Sequence, residues 1–119
     1  MEEQVTTPLL TVTRHAHSSG TGVVKVEGEL DQHTSPRLTE ALEGVHLTAG
    51  TTLVVDLSGL MYCDSTGLTV LIGLHQRTEA AGAPLVLAGL ENELLRIFRV
   101  TGLDRLFTLR TTVEEALTS

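Results

Sequence analysis

Residues 53–68 read LVVDLSGLMYCDSTGL, in which an apolar run gives way to short polar side chains. Residues 52–57 are almost all apolar or β-branched, a pattern typical of a strand that is buried on both faces in the middle of a sheet. Residues 64–66 carry the carboxyl and hydroxyl groups that cap helices by accepting hydrogen bonds from the first free N–H groups. Because Gly82 then stops the apolar pattern, the sequence predicts a helix over about residues 65–81.

Upstream of this stretch, the sequence indicates two strands and a helix. Residues 9–13 and 23–26 are rich in apolar and β-branched side chains, and a segment rich in serine and glycine separates them, so they predict an antiparallel hairpin. From Ser35 the apolar residues lie three or four positions apart, which is the spacing of one helix face. Pro36 suits the first helical turn, and Ser35 or Thr34 suits the cap.

Downstream, the alternation of strand and helix continues. Residues 84–88 repeat the strand pattern and residues 94–98 repeat the helical pattern. Residues 106–109 predict a short edge strand, and residues 113–117 predict a closing helix. This order predicts an α/β fold: a mixed sheet of four or five strands with an N-terminal antiparallel hairpin and about four helices, packed mainly on one face.

The composition predicts a single domain over residues 1–119, with residues 1–7 expected to be disordered. Only three residues are aromatic, so aliphatic side chains must fill the core. On the helix predicted over residues 65–81, the apolar spacing points to Leu68, Leu71 and Ile72 as buried residues. We therefore expect these three side chains to pack against the sheet.

Charge and apolar patterning exclude two classes of partner. The formal net charge is -7, which would repel a nucleic acid backbone rather than release its counterions. The apolar stretches are far shorter than the about 20 residues that a membrane-spanning helix needs. With one cysteine, Cys63, and no secretory leader pattern at its start, the sequence predicts a cytoplasmic protein that contacts neither nucleic acid nor membrane.

Four polar residues are placed where predicted strands end or helices begin. Asp56 comes near the end of the central predicted strand, Asp31 follows the hairpin, and Asp64 and Ser65 precede or begin the next helix. Functional residues of such sheets collect at these positions. Asp56 lacks the acidic pair and the lysine that phosphate-accepting receiver domains place nearby, so it is interpreted as a turn residue at the strand end.

Several kinds of chemistry are open to Ser65. As an acyl-transfer nucleophile it would need glycine two residues before and two residues after; Gly67 fills the second position, but Cys63 fills the first. No spacing assigns a histidine base to it, and His15 and His17 are too few ligands for a metal, so no metal site is expected. Ser65 could instead lie in a helix cap, or accept a phosphate that the helix N-terminus tolerates.

Three segments, GELDQHT at 28–34, VVDLSGL at 54–60 and DSTGL at 64–68, resemble in this order the bacterial anti-sigma factor antagonists of the STAS domain family. The likeness covers nearly the whole chain. Members of that family bind an anti-sigma factor that is also a serine kinase, and so free the sigma factor. The kinase phosphorylates the serine after the aspartate, which releases the antagonist, and a metal-dependent serine phosphatase resets it.

The resemblance implies a non-enzymatic partner switch without cofactors. Ser65 matches the phosphorylated serine, with Thr66 as the alternative hydroxyl, and Asp31 matches an acidic loop position near the kinase contact. Asp64, Ser65, Thr66 and Gly67 complete the implied partner-binding surface. Asp31→Ala is then expected to weaken binding with little change in Tm. Two other functions stay open: a scaffold or ligand-binding subunit of a larger signalling assembly, and a small hydrolase that uses Ser65.

Overall fold

The computed structural model describes residues 9–118, and the predicted disorder of residues 1–7 lies outside this part of the chain. The described residues form a five-stranded mixed sheet and four α-helices, which confirms the predicted α/β fold. In chain order the elements are β1 (Leu10–Ala16), β2 (Gly22–Leu30), α1 (Ser35–Glu43), β3 (Leu53–Cys63), α2 (Ser65–Ala81), β4 (Leu85–Ala88), α3 (Asn92–Thr101), a 3-10 turn (Leu103–Arg105), β5 (Thr108–Arg110) and α4 (Val113–Thr118).

The strands lie in the order β1-β2-β3-β4-β5. β1 and β2 form the predicted antiparallel hairpin, and every other neighbouring pair is parallel. β3 pairs with β2 from Leu53 to Cys63, with two register shifts, but it pairs with β4 only from Leu53 to Asp56. The second half of β3 therefore extends beyond β4.

The two faces of the sheet carry two apolar clusters of unequal size. Because successive side chains of a strand point to opposite faces, Val55 packs beneath α1, α2 and α3 in the large cluster, while Val54 belongs to the small one. In the small cluster the strands pack against Ala116 of α4. The helices thus cover mainly one face, as predicted, and α4 covers part of the other.

α2 begins at Ser65 and ends at Ala81, as predicted. Gly82 stops the helix in a left-handed conformation with a φ of 71°, which glycine adopts without the steric cost that other residues pay. Leu71 is buried as expected, with 1% of its surface exposed. Leu68 and Ile72 are only partly buried, because each lies beside the helix face that packs against the sheet and not on it.

β3 is longer than predicted, and its length changes the position of Asp56. The expected strand ended at residue 57 because Ser58 and Gly59 favour turns. In the structure the strand continues, and Gly59 allows close approach to β2, since a Cβ there would lie 2.8 Å from Cγ of Glu27. Asp56 lies within the strand and is only 8% exposed, with Oδ1 accepting a hydrogen bond from the Ser58 N–H at 3.0 Å. Its interpretation as a turn residue at the strand end was wrong.

Candidate functional site

The carboxyl ends of β2 and β3 lie side by side and carry three of the predicted site residues. Leu30 and Cys63, which end the two strands, are paired in register, and the Asp64 N–H donates a hydrogen bond to the Leu30 carbonyl oxygen at 3.1 Å. The loop that starts at Asp31 therefore lies next to the turn that holds Asp64 and Ser65. Parallel pairing of the two strands places these side chains at the same end of the sheet.

The carboxylate of Asp64 connects the two loops. Oδ1 accepts a hydrogen bond from the Gly67 N–H at 3.0 Å and so caps α2, as the sequence predicts. Oδ2 accepts a hydrogen bond from the Gln32 N–H at 3.0 Å, across a sequence separation of 32 residues. Because both oxygens are engaged, Asp64 fixes the start of α2 against the loop after β2. We assign it a positioning role within the site.

Asp31 stabilises the turn that leads into α1. Its Oδ1 accepts hydrogen bonds from the N–H groups of His33 and Thr34, each at 2.9 Å. The Thr34 hydroxyl accepts one from the Asp31 N–H at 3.0 Å and donates one to the Glu29 carbonyl oxygen at 2.7 Å. The backbone N–H of Thr34, followed by that of His33, holds the pKa of Asp31 below its usual value, although partial desolvation opposes this shift.

These contacts change the expectation for Asp31→Ala, which should lower Tm as well as weaken binding, because the turn loses its acceptor. Asp31→Asn is the sharper variant, since an amide oxygen still accepts both backbone hydrogen bonds while the charge is removed. We expect Asp31→Asn to fold normally and to bind a basic partner several-fold more weakly. Thermal unfolding of both variants tests their stability. Isothermal titration calorimetry against the serine-kinase anti-sigma factor that the resemblance implies tests their binding. Equal affinity of Asp31→Asn and wild type would show that the Asp31 charge does not contribute to the interface.

The lowered pKa of Asp31 also sets a pH dependence. The ionised carboxylate contributes stability that is present above the unfolded-state pKa of about 3.9 and is lost as the pH falls through the lower folded-state pKa. The difference in unfolding free energy between wild type and Asp31→Asn should therefore be constant near neutral pH. Below about pH 4 wild type should lose stability relative to the variant, because Asp31 becomes protonated and the variant has no such carboxylate. Urea unfolding at a series of pH values measures it.

Ser65 is the exposed first residue of α2. Within residues 9–118 its hydroxyl makes no hydrogen bond, and the N–H groups of Ser65 and Thr66 have no acceptor. Thr66 is half-buried by comparison. Accessibility therefore favours the Ser65 hydroxyl over that of Thr66 for modification by another protein.

Gly67 is buried and lets α2 approach the strand ends. A Cβ at this position would lie 2.7 Å from Cγ of Leu30 and 2.9 Å from Sγ of Cys63. Such distances would force the helix away from the sheet. Gly67 thus shapes the site from beneath and offers little surface of its own to a partner.

The geometry gives no support to catalysis at Ser65. No histidine in the part of the chain that the structure describes hydrogen-bonds to Ser65, and His17 bonds to Ser19 while His75 contacts Phe107. Across residues 9–118, no three side chains of the metal-binding types come together.

The helices within residues 9–118 are too short or too polar to span a membrane.

The thiol of Cys63 lies beside the site and is partly buried. Burial, and then the neighbouring Asp64 carboxylate, raise its pKa to about 12. The thiol therefore stays protonated near neutral pH, and the thiolate that nucleophilic or redox chemistry requires is scarcely populated. Cys63 acts here as a small, partly buried side chain.

Sequence reasoning missed a groove beside the site, between the end of β3 and α3. It has a volume of about 190 Å³ and is lined by Leu60, Met61, Tyr62, Cys63, Glu91, Glu93, Leu94 and Ile97. Met61 is 80% exposed and Tyr62 is 55% exposed. Met61 and Tyr62, three and two residues before Asp64, were the available signal, but the local sequence pattern does not show that their side chains are exposed.

Known proteins resemble this chain in sequence and in structure. The STAS domain family profile matches residues 13–116. The anti-sigma-B factor antagonist of Listeria monocytogenes is 39% identical over 85 residues, which cover 71% of this chain and 75% of that protein. The protein of the same name in Staphylococcus aureus is 35% identical over 83 residues, which cover 70% of this chain and 77% of that protein.

A solved structure agrees with these relatives. The crystal structure of an anti-sigma factor antagonist from Mycobacterium paratuberculosis superposes with a TM-score of 0.76 at 34% sequence identity, covering 92% of both chains. The likeness thus extends over nearly the whole chain. The profile match, the relatives and this structure together show that the chain belongs to the STAS domain family.

Proposed function

We propose that this chain is an anti-sigma factor antagonist controlled by phosphorylation of Ser65. The observation that carries the proposal is the exposed Ser65 hydroxyl at the start of α2, beside the Asp31 turn and the Asp64 cap. The names that its relatives carry agree with this function. In its unphosphorylated form the chain binds an anti-sigma factor that is a serine kinase, and the sigma factor is released.

Phosphorylation then reverses the binding. A phosphate on Ser65 adds a charge of about -1.5 to -2. The chain itself accommodates that charge, because the N–H groups of Ser65 and Thr66 have no acceptor among residues 9–118 and the helix dipole is positive at this end. A partner docked over this turn meets the charge without such compensation and dissociates. A metal-dependent serine phosphatase restores the binding form by removing the phosphate.

The proposal is tested by incubating the purified chain with ATP and each serine-kinase anti-sigma factor of its source organism. We expect one phosphate per chain, and mass spectrometry of peptides should place it on Ser65. Ser65→Ala should abolish the modification, whereas the matched variant Thr66→Ala should leave it unchanged. Phosphate on another residue, or no binding to any of these kinases, would contradict the proposal.

A further inference from the structure

The groove between β3 and α3 follows the edge of a strand. Four consecutive residues of β3, from Leu60 to Cys63, line it. β3 shifts register against β2 between Leu60 and Tyr62, where Met61 is the extra residue. The strand bulges there, so the strict alternation of side chains is interrupted and neighbouring residues can border one groove. α3 forms the opposite wall through Leu94 and Ile97.

Among residues 9–118, no neighbouring strand covers this edge of β3. The pairing with β4 ends at Asp56, opposite Ala88, and the chain then turns away into α3. On their other side Leu60, Tyr62 and Cys63 remain paired with β2, with a register shift at Met61. A strand edge of this kind presents backbone N–H and C=O groups that can pair with an added strand.

The borders of the groove indicate which segment would fit. Met61 and Tyr62 expose apolar surface on the strand side, and Ile97 is half-buried on the helix side. Glu91 and Glu93 border the same groove, are exposed, and form no ion pair with a basic residue among residues 9–118. A segment with an apolar side chain flanked by arginine or lysine complements these features.

We propose that an extended, basic segment of the anti-sigma factor adds as a strand to the free edge of β3, a proposal that rests on the proposed function. One apolar side chain of that segment lies between Met61 and Ile97, and basic side chains face Glu91 and Glu93. The groove ends at Cys63, two residues before Ser65, so the contact is continuous with the phosphorylated turn. It gives the antagonist a second recognition element besides Ser65 and its neighbours.

Side-chain variants test the walls of the groove. Met61→Asp and Glu93→Lys should each weaken binding of the anti-sigma factor kinase by about tenfold or more, as measured by isothermal titration calorimetry. Val100→Asp is the matched control, because Val100 is 79% exposed on α3, about as much as Met61, and does not line the groove. It should bind like wild type. Circular dichroism should show that all three variants are folded, which their exposed positions favour.

Hydrogen exchange tests the strand pairing directly. In the complex, amides within residues 60–63 that face the groove should exchange about tenfold or more slowly than in the free protein. Unchanged exchange there, or a Met61→Asp variant that binds like wild type, would overturn the proposal. If Ser65→Asp still fails to bind in that case, the proposed function stands without the groove. If wild type binds no anti-sigma factor, both fall together.

Discussion

Replacing Ser65 by aspartate should weaken binding of the anti-sigma factor about a thousandfold, which corresponds to about 4 kcal/mol. The substitution places a carboxylate on the exposed first residue of α2, and an unpaired charge held in an interface typically costs several kcal/mol. In the free protein the same charge suits the helix dipole, which stabilises it by about 0.3–1 kcal/mol. Tm should therefore not fall, and calorimetric titration against the kinase measures the effect on binding.

Two variants separate the charge from its position. Ser65→Ala removes the phosphate acceptor without adding charge, so it should bind like wild type and stay bound in the presence of ATP. Gln76→Asp adds the same charge at an exposed position eleven residues along the same helix and should leave binding unchanged. A Ser65→Asp protein that binds as tightly as wild type would refute the switch and leave the fold assignment intact.

Leu71→Ala should lower the free energy of unfolding by about 2–5 kcal/mol. Leu71 lies on the stripe of α2 that faces the sheet and is only 1% exposed, so truncation leaves a cavity within the large apolar cluster. A domain of this size has a total stability of about 5–15 kcal/mol, so the loss is a large fraction of it. Urea unfolding followed by circular dichroism gives the value from the midpoint and the slope.

Ile72→Ala is the matched comparison for this prediction. Ile72 lies next along the helix, is only partly buried, and packs at the margin of the same cluster. It should lose less stability than Leu71→Ala, because part of the removed side chain already contacts water. Equal losses at the two positions would contradict the burial difference between them. Binding by the folded fraction of both variants should be unchanged.

Local signals predicted most of the secondary structure. The apolar spacing and stop signal of α2 depend on neighbours within one or two turns, so its ends at Ser65 and Ala81 were found from the sequence. The end of β3 was not found, because Ser58 and Gly59 favour turns locally. The strand instead passes a register shift between Asp56 and Gly59 and pairs with β2 again from Gly59 onward. That error placed Asp56 at the strand end instead of within the sheet.

The structure brings Asp31, Asp64 and Ser65 to one end of the sheet, and the predicted partner-binding and phosphorylation roles of the site residues stay predictions. Ser65 lies on the surface as expected. Asp31 stabilises its own turn, and Asp64 joins the two loops through backbone hydrogen bonds. The hydrogen bond from the Gln32 N–H to the Asp64 carboxylate joins residues distant in sequence and depends on the parallel pairing of β2 and β3. The predicted partner-binding role of Gly67 stays a prediction, although its burial favours a positioning role.

The sequence by itself determined the order of strands and helices, the start of α2 at Ser65 and the exposed hydroxyl there, because periodicity and capping act between residues close in the chain. Only the tertiary structure decided that the Asp64 carboxylate accepts hydrogen bonds from both loops of the site and that Asp56 is buried. The tertiary structure also decided that β3 extends beyond the end of β4, which leaves an open groove beside α3. These features arise from pairing and packing between segments far apart in sequence, and a local pattern carries no information about where a neighbouring strand stops.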